Sequence, residues 1–108
     1  MGRRRLTVYR IVWMYDVKPE TAVIFERVYG AEGDWVRLFR TARGYLGTEL
    51  FRSVATPGRY VTVDDWESLA AYDIFRARAS AAYAELDARC DDLTQTERLV
   101  SAGETNGG

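Results

Sequence analysis

The stretch Gly44-Tyr45-Leu46-Gly47-Thr48-Glu49-Leu50-Phe51-Arg52-Ser53-Val54-Ala55-Thr56-Pro57-Gly58-Arg59-Tyr60-Val61-Thr62-Val63-Asp64-Asp65-Trp66 constrains this chain more than any other. It contains two β-rich runs around a turn in which Pro57 presets φ and Gly58 supplies a positive φ. That is the pattern of a hairpin. If Val54 faces Arg59, then Ser53, Phe51, Glu49 and Gly47 share a face with Tyr60, Thr62, Asp64 and Trp66. The other face then carries Arg52, Leu50 and Thr48 with Val61, Val63 and Asp65, so both faces hold apolar residues and both need cover.

The rest of the chain supplies cover for one face. Leu6 to Val17 is rich in Val, Ile, Tyr and Trp, as a central strand requires, with Tyr9, Ile11, Trp13 and Tyr15 pointing one way. Lys18-Pro19-Glu20 opens a helix in which Ala22, Phe25 and Tyr29 recur at helical spacing before Gly30. Asp34 is placed to cap a short helix bearing Trp35, Leu38 and Phe39. After Trp66 the apolar period lengthens from two to nearly four. Ser68 caps a long helix whose stripe is Phe75, Ala79, Tyr83, Leu86, Cys90 and Leu93. Thr94-Gln95-Thr96-Glu97 matches a capping box, and a terminal strand near residues 98–103 is the alternative.

The order is β-α-α-β-β-α, with or without a last strand: an α+β fold with a small antiparallel sheet and its helices on one face. No segment remains for the opposite face, where Leu46, Leu50, Val54, Val61 and Val63 are expected. A second copy of the sheet would bury them, which predicts a homodimer. The domain spans residues 6–100, between a disordered basic N-terminus (1–5) and a flexible C-terminal tail (101–108).

Composition narrows the function classes. With 108 residues, 47% hydrophobic and 29% charged, this is one ordinary globular domain. Fifteen basic residues against sixteen acidic ones give a net charge of -1, so nucleic acid is not an expected partner. No apolar run is long enough for a membrane span. The absence of histidine removes the commonest metal ligand and general base, and we expect neither metal nor cofactor. Cys90 is the only cysteine, which fits a small core residue in a reducing cytoplasm. Glu49 and Asp64 fall opposite each other in the expected register. Like charges so placed need an arginine bridge, for example from Arg10, or a shared proton of use to a general base.

Three segments carry a resemblance: Val17-Lys18-Pro19-Glu20, Gly44-Tyr45-Leu46-Gly47, and Trp66-Glu67-Ser68-Leu69-Ala70-Ala71-Tyr72. In these the chain resembles the antibiotic biosynthesis monooxygenase superfamily. The resemblance implies a ferredoxin-like domain that pairs as a dimeric α/β barrel, with a pocket between sheet and helices. In its anthrone oxygenases, oxygenation proceeds without flavin or metal through an Asn, a Trp and a Tyr. The Trp matches Trp66 and the Tyr matches Tyr72, whereas the Asn position holds Thr62. The haem-degrading branch needs a helix histidine, and Tyr72-Asp73-Ile74-Phe75-Arg76 has none.

From the resemblance we expect a cofactor-independent monooxygenase or related tailoring enzyme acting on a small aromatic molecule. The expected catalytic residues are Trp66, Tyr72, Glu49 and Asp64. Tyr72 would hold the substrate oxygen, the Trp66 indole would stabilise a reduced oxygen species, and Glu49 or Asp64 would be the base. Tyr9, Ile11, Trp13, Tyr15, Tyr45, Gly47, Phe51 and Thr62 would bind the substrate. The alternative is a non-catalytic homodimer of the same fold that binds a small molecule or acts as a scaffold.

Overall fold

Strand β1 (Tyr9–Asp16) lies at the centre of the molecule, flanked on both sides by antiparallel neighbours. The computed structural model describes residues 7–106. The expected N-terminal segment 1–5 lies outside them. After β1 a short 3-10 turn (Pro19–Thr21) leads into α1 (Ala22–Tyr29), then α2 (Asp34–Phe39), β2 (Tyr45–Arg52), β3 (Arg59–Trp66), α3 (Leu69–Arg78), α4 (Ser80–Cys90) and β4 (Thr96–Glu104). The sheet order is β2-β3-β1-β4, with every pair antiparallel. This is the ferredoxin-like α+β arrangement with its helices on one face.

Local signals account for most boundaries. Pro19 stands where a missing N–H costs nothing, and the Thr21 hydroxyl donates to Lys18 O at 3.2 Å and Leu93 O at 3.0 Å, tying the turn to the end of the helical layer. Ser68 caps α3 as its side chain predicts, accepting from Ala71 N at 3.1 Å. Gly33, not Asp34, is the cap of α2; Asp34 is the first helical residue and pairs with Arg37 and Arg89. The single long helix expected after Ser68 is two helices, broken at Ala79 (φ -102°, ψ 19°). The break preserves the stripe: Phe75, Leu86 and Cys90 are all buried, and Tyr83 packs against them. The last segment is a strand rather than a capped helical turn, and it runs to Glu104, four residues past the expected domain boundary.

The hairpin register differs from the expected one by a single residue. Ser53 N donates to Arg59 O at 2.8 Å, which leaves a loop of residues 54–58, one longer on the β2 side than a Val54–Arg59 pairing allows. Because side chains alternate, that slip turns all of β2 over. Thr48 and Leu50 therefore face the helices, opposite Asp64 and Thr62, while Glu49 and Phe51 lie on the helix-free face opposite Val63 and Val61. Glu49 and Asp64 are not a facing pair. A bulge at Leu46 shifts the register by one residue more, so that Tyr45, and not Gly47, stands opposite Trp66.

The core lies between sheet and helices. Phe25 and Trp66 are fully buried, and around them pack Ile11, Tyr15, Tyr29, Phe39, Tyr60 and Phe75. The helix-free face carries Val12, Met14, Val61 and Val63, all half-buried, with Phe51 49% exposed. Leu50 belongs to the core and Val54 to the turn, so this face is less apolar than the expected register made it.

Candidate functional site

One carboxylate breaks the apolar character of the core. Asp64 sits on the buried face of β3 with only 8% of its surface exposed, between Ile11 on β1 and Thr48 on β2. The Thr48 hydroxyl donates to Asp64 Oδ1 at 2.7 Å, so the Tyr45 hydroxyl, 2.6 Å from Thr48 Oγ1, is left to donate in turn. Tyr45, Thr48 and Asp64 thus form one directed chain of hydrogen bonds. No protein donor reaches Asp64 Oδ2 among the described residues. Burial pushes the Asp64 carboxyl up to about 6 and nearby Asp65 adds to this, against the lowering effect of the Thr48 hydrogen bond.

Asp64 lines a cavity of about 110 Å³ between the sheet and the helices. On the sheet side Trp13, Tyr15, Thr48 and Thr62 form its floor. From the helices Tyr29, Trp35, Phe39 and Tyr83 close over it, and Asp87 and Glu97 complete the lining. A closed apolar cavity of about 150 Å³ holds benzene in another protein; this one is somewhat smaller, opens to solvent and is partly polar, and its aromatic side chains do not fill it. The Tyr15 hydroxyl meets Thr62 Oγ1 at 3.2 Å. Burial raises the Tyr15, Tyr29 and Tyr83 phenols, so all three are neutral hydroxyls at physiological pH.

The residues singled out in the sequence fall into three groups. Asp64, Thr62, Trp13 and Tyr15 line the cavity, and Tyr45 is connected to it through Thr48. Trp66, Tyr72 and Tyr9 form an adjoining aromatic cluster: Trp66 packs on Tyr45 (5.3 Å between ring centroids), Tyr72 (5.3 Å) and Phe39 (5.6 Å), and Tyr72 on Tyr9 (5.7 Å). Phe39 is the wall the cluster shares with the cavity. Trp66 Nε1 is buried without a hydrogen-bond partner, and the Tyr72 hydroxyl accepts from Arg76 at 3.1 Å. Ile11 is a buried core residue, while Glu49, Phe51 and Gly47 are separated from the cavity by the turned strand.

Sequence reasoning missed Tyr29, Trp35, Phe39 and Tyr83, which it read only as helix stripes facing a core. It also missed Thr48, which the slipped register put on the wrong face, and Asp87 and Glu97. The available signal was the excess of aromatic over aliphatic residues in those stripes: rings that must be packed edge to face around a polar group leave space more readily than leucines do.

Among the described residues no group of three potential ligands could hold a metal ion, and no helix is long and apolar enough to cross a membrane. Structural comparison finds the fold in several solved proteins. A putative antibiotic biosynthesis monooxygenase from Nitrosomonas europaea aligns with a TM-score of 0.66 at 14% identity, covering 95% of this chain and 94% of that one. PA3566 from Pseudomonas aeruginosa aligns with a TM-score of 0.62 at 15% identity, covering 90% and 93%. SnoaB, a cofactor-independent oxygenase from Streptomyces nogalater, aligns with a TM-score of 0.58 at 18% identity, covering 94% and 98%. No curated protein matches the sequence. At these identities the structural likeness establishes the fold, and the sequence itself adds the family: residues 8–86 match the model for antibiotic biosynthesis monooxygenases, so the chain belongs to that family.

Proposed function

We propose that this protein is a cofactor-independent monooxygenase of a small, single-ring phenol or enol, with Asp64 as its base. The observation that carries the reading is a buried carboxylate lining an aromatic-walled cavity, with a pKa of about 6, close to neutrality. The family and the likeness to SnoaB support the reaction class. The cavity volume favours one ring over the fused rings of an anthrone.

In this reading Asp64 removes the phenolic proton and leaves a phenolate. The anion gives electrons to dioxygen, a C–O bond forms at a ring carbon, and the peroxide oxygen takes the proton back from Asp64. Loss of water then breaks the O–O bond, so that phenol and dioxygen yield a quinone and water with all atoms accounted for. Tyr15 and Thr62 are neutral hydroxyls joined by one hydrogen bond, so one of them has a proton left for the substrate oxygen, and the Tyr45–Thr48 chain holds the carboxylate in place by donating to Oδ1. Trp66 and Tyr72 act behind the wall, positioning Phe39 and Tyr45. The helix-free face bearing Val12, Met14, Phe51, Val61 and Val63 pairs with its copy in a homodimer.

Oxygen uptake with a panel of hydroquinones, phenols, cyclic 1,3-diones and an anthrone tests the reading. Wild type should turn over single-ring members, and Asp64→Asn should lower kcat by about 10²–10⁴-fold, the usual range for loss of a general base. Trp66→Phe and Tyr72→Phe should lose less and keep the wild-type pH profile. Full activity of Asp64→Asn would remove the base assignment. Inactivity of the wild type on the entire panel, with binding of the same compounds, would favour the non-catalytic binding protein.

A further inference from the structure

The charge of the cavity lining is one-sided. Asp64 lies deep within it, Asp87 on α4 and Glu97 on β4 lie at its solvent-exposed rim, and no lysine or arginine belongs to the lining. Among the described residues neither Asp87 nor Glu97 forms an ion pair. Arg76, outside the lining, stacks its guanidinium 3.9 Å from the centre of the Tyr83 ring, donates to Tyr72 and feels the charge of Asp87 without forming an ion pair with it. Across the whole chain acidic and basic residues almost balance, so this local excess is a property of the site. The lining also includes the aromatic rings of Trp13 and Trp35, side chains of the kind a cation can approach.

We propose that the natural ligand of this cavity carries a cationic nitrogen: its ring sits among the aromatic walls and an ammonium group lies at the rim between Asp87 and Glu97. This rests on the reading of the cavity as the substrate site and names the substrate class within it. Three further features agree. Asp64 Oδ2, without a protein donor among the described residues, is free to meet a hydroxyl at the other end of such a ligand. Burial, followed by the charges of Asp87 and Asp91, holds the Glu97 carboxyl above its ordinary range, a cost that a bound cation relieves. A carboxylate ligand would meet three like charges and is rejected by the same arrangement.

Calorimetric titration of the intact protein at pH 7.5 with benzylamine, benzyl alcohol and benzoate tests the assignment, since the three probes share a ring and differ in charge. Benzylamine should bind about tenfold more tightly than benzyl alcohol, and benzoate most weakly. In the double variant Asp87→Asn/Glu97→Gln, which alters two exposed side chains, the amine preference should fall to about twofold or less, with folding checked by circular dichroism. Benzyl alcohol binding as tightly as benzylamine, an amine preference that survives in the double variant, or no binding of any probe would overturn the proposal. The oxygenase reading is judged separately by oxygen uptake on neutral phenols: it survives equal binding of amine and alcohol, and fails if the wild type turns over none of them, whatever the charge preference.

Discussion

Asp64 burdens the fold that contains it. Its carboxyl titrates near 6 in the native state against an ordinary value of 3.8, so between these two pH values the native state holds a proton that the unfolded chain has released. Stability therefore falls as pH rises from about 4 to 6 and stays lower above that window, by on the order of 3 kcal/mol for a shift of this size. Asp64→Asn keeps the shape and an acceptor for Thr48 but has no charge to bury. We predict that it stabilises the protein by up to about 3 kcal/mol at pH 8 and by little at pH 4, read from urea unfolding at both values. A stability change equal at the two pH values would mean that the buried charge is not the cause. Asp16 has the opposite sign. The Arg59 and Thr96 hydrogen bonds hold its carboxyl below the ordinary range, so its contribution is present above pH 4 and is lost on acidification. The identity of Asp64 as a buried acid was only partly legible in the sequence. Its face on β3 followed from alternation with Tyr60, Thr62 and Trp66. Its partner did not, because the expected Glu49 pairing required two facing carboxylates and the true partner is a hydroxyl.

Among the elements, β1 and β2 show why some of the fold was readable and some was not. In β1 the bulkier Tyr9, Ile11, Trp13 and Tyr15 alternate with Arg10, Val12 and Met14, and that expected inward set is the set that faces the core. Strand β2 mixes polar and apolar residues on both faces, so alternation cannot choose between two registers. The choice is made by the loop of residues 54–58 and the bulge at Leu46, neither of which has a unique composition. The break at Ala79 was illegible for a similar reason, since no Gly or Pro marks it. Gly44 illustrates the opposite case. It has φ +96°, accepts from Glu67 N at 2.7 Å, and an added Cβ would stand 2.7 Å from Ala71 Cβ on α3. We predict that Gly44→Ala costs about 1–3 kcal/mol through backbone strain and the forced separation of β2 from α3. The measurement is the urea midpoint, which should fall with an unchanged slope.

At the scale of the molecule, helices cover one face of the sheet and leave Val12, Met14, Phe51, Val61 and Val63 on the other. We predict a dimer at micromolar concentration in sedimentation velocity, converted to monomer by Val63→Arg, which would force a charge into the proposed interface. A wild-type monomer would leave the exposed face unexplained. The cavity is likewise a product of the whole topology. Its walls come from β1, β2, β3, all the helices except α3, and β4, so the sequence could suggest Trp13, Tyr15, Thr62 and Asp64 individually but not bring Asp87 and Glu97 beside them. What makes the assembled cavity a reaction site, on this account, is the ionisation of its one deeply buried carboxylate. The pH profile of kcat/KM for oxygen uptake on a neutral single-ring phenol reads that ionisation in the free protein. We expect activity to rise with pH through an inflection near 6, and the inflection to disappear from the residual activity of Asp64→Asn. A profile flat from pH 5 to pH 7.5, or the same inflection retained in Asp64→Asn, would contradict it.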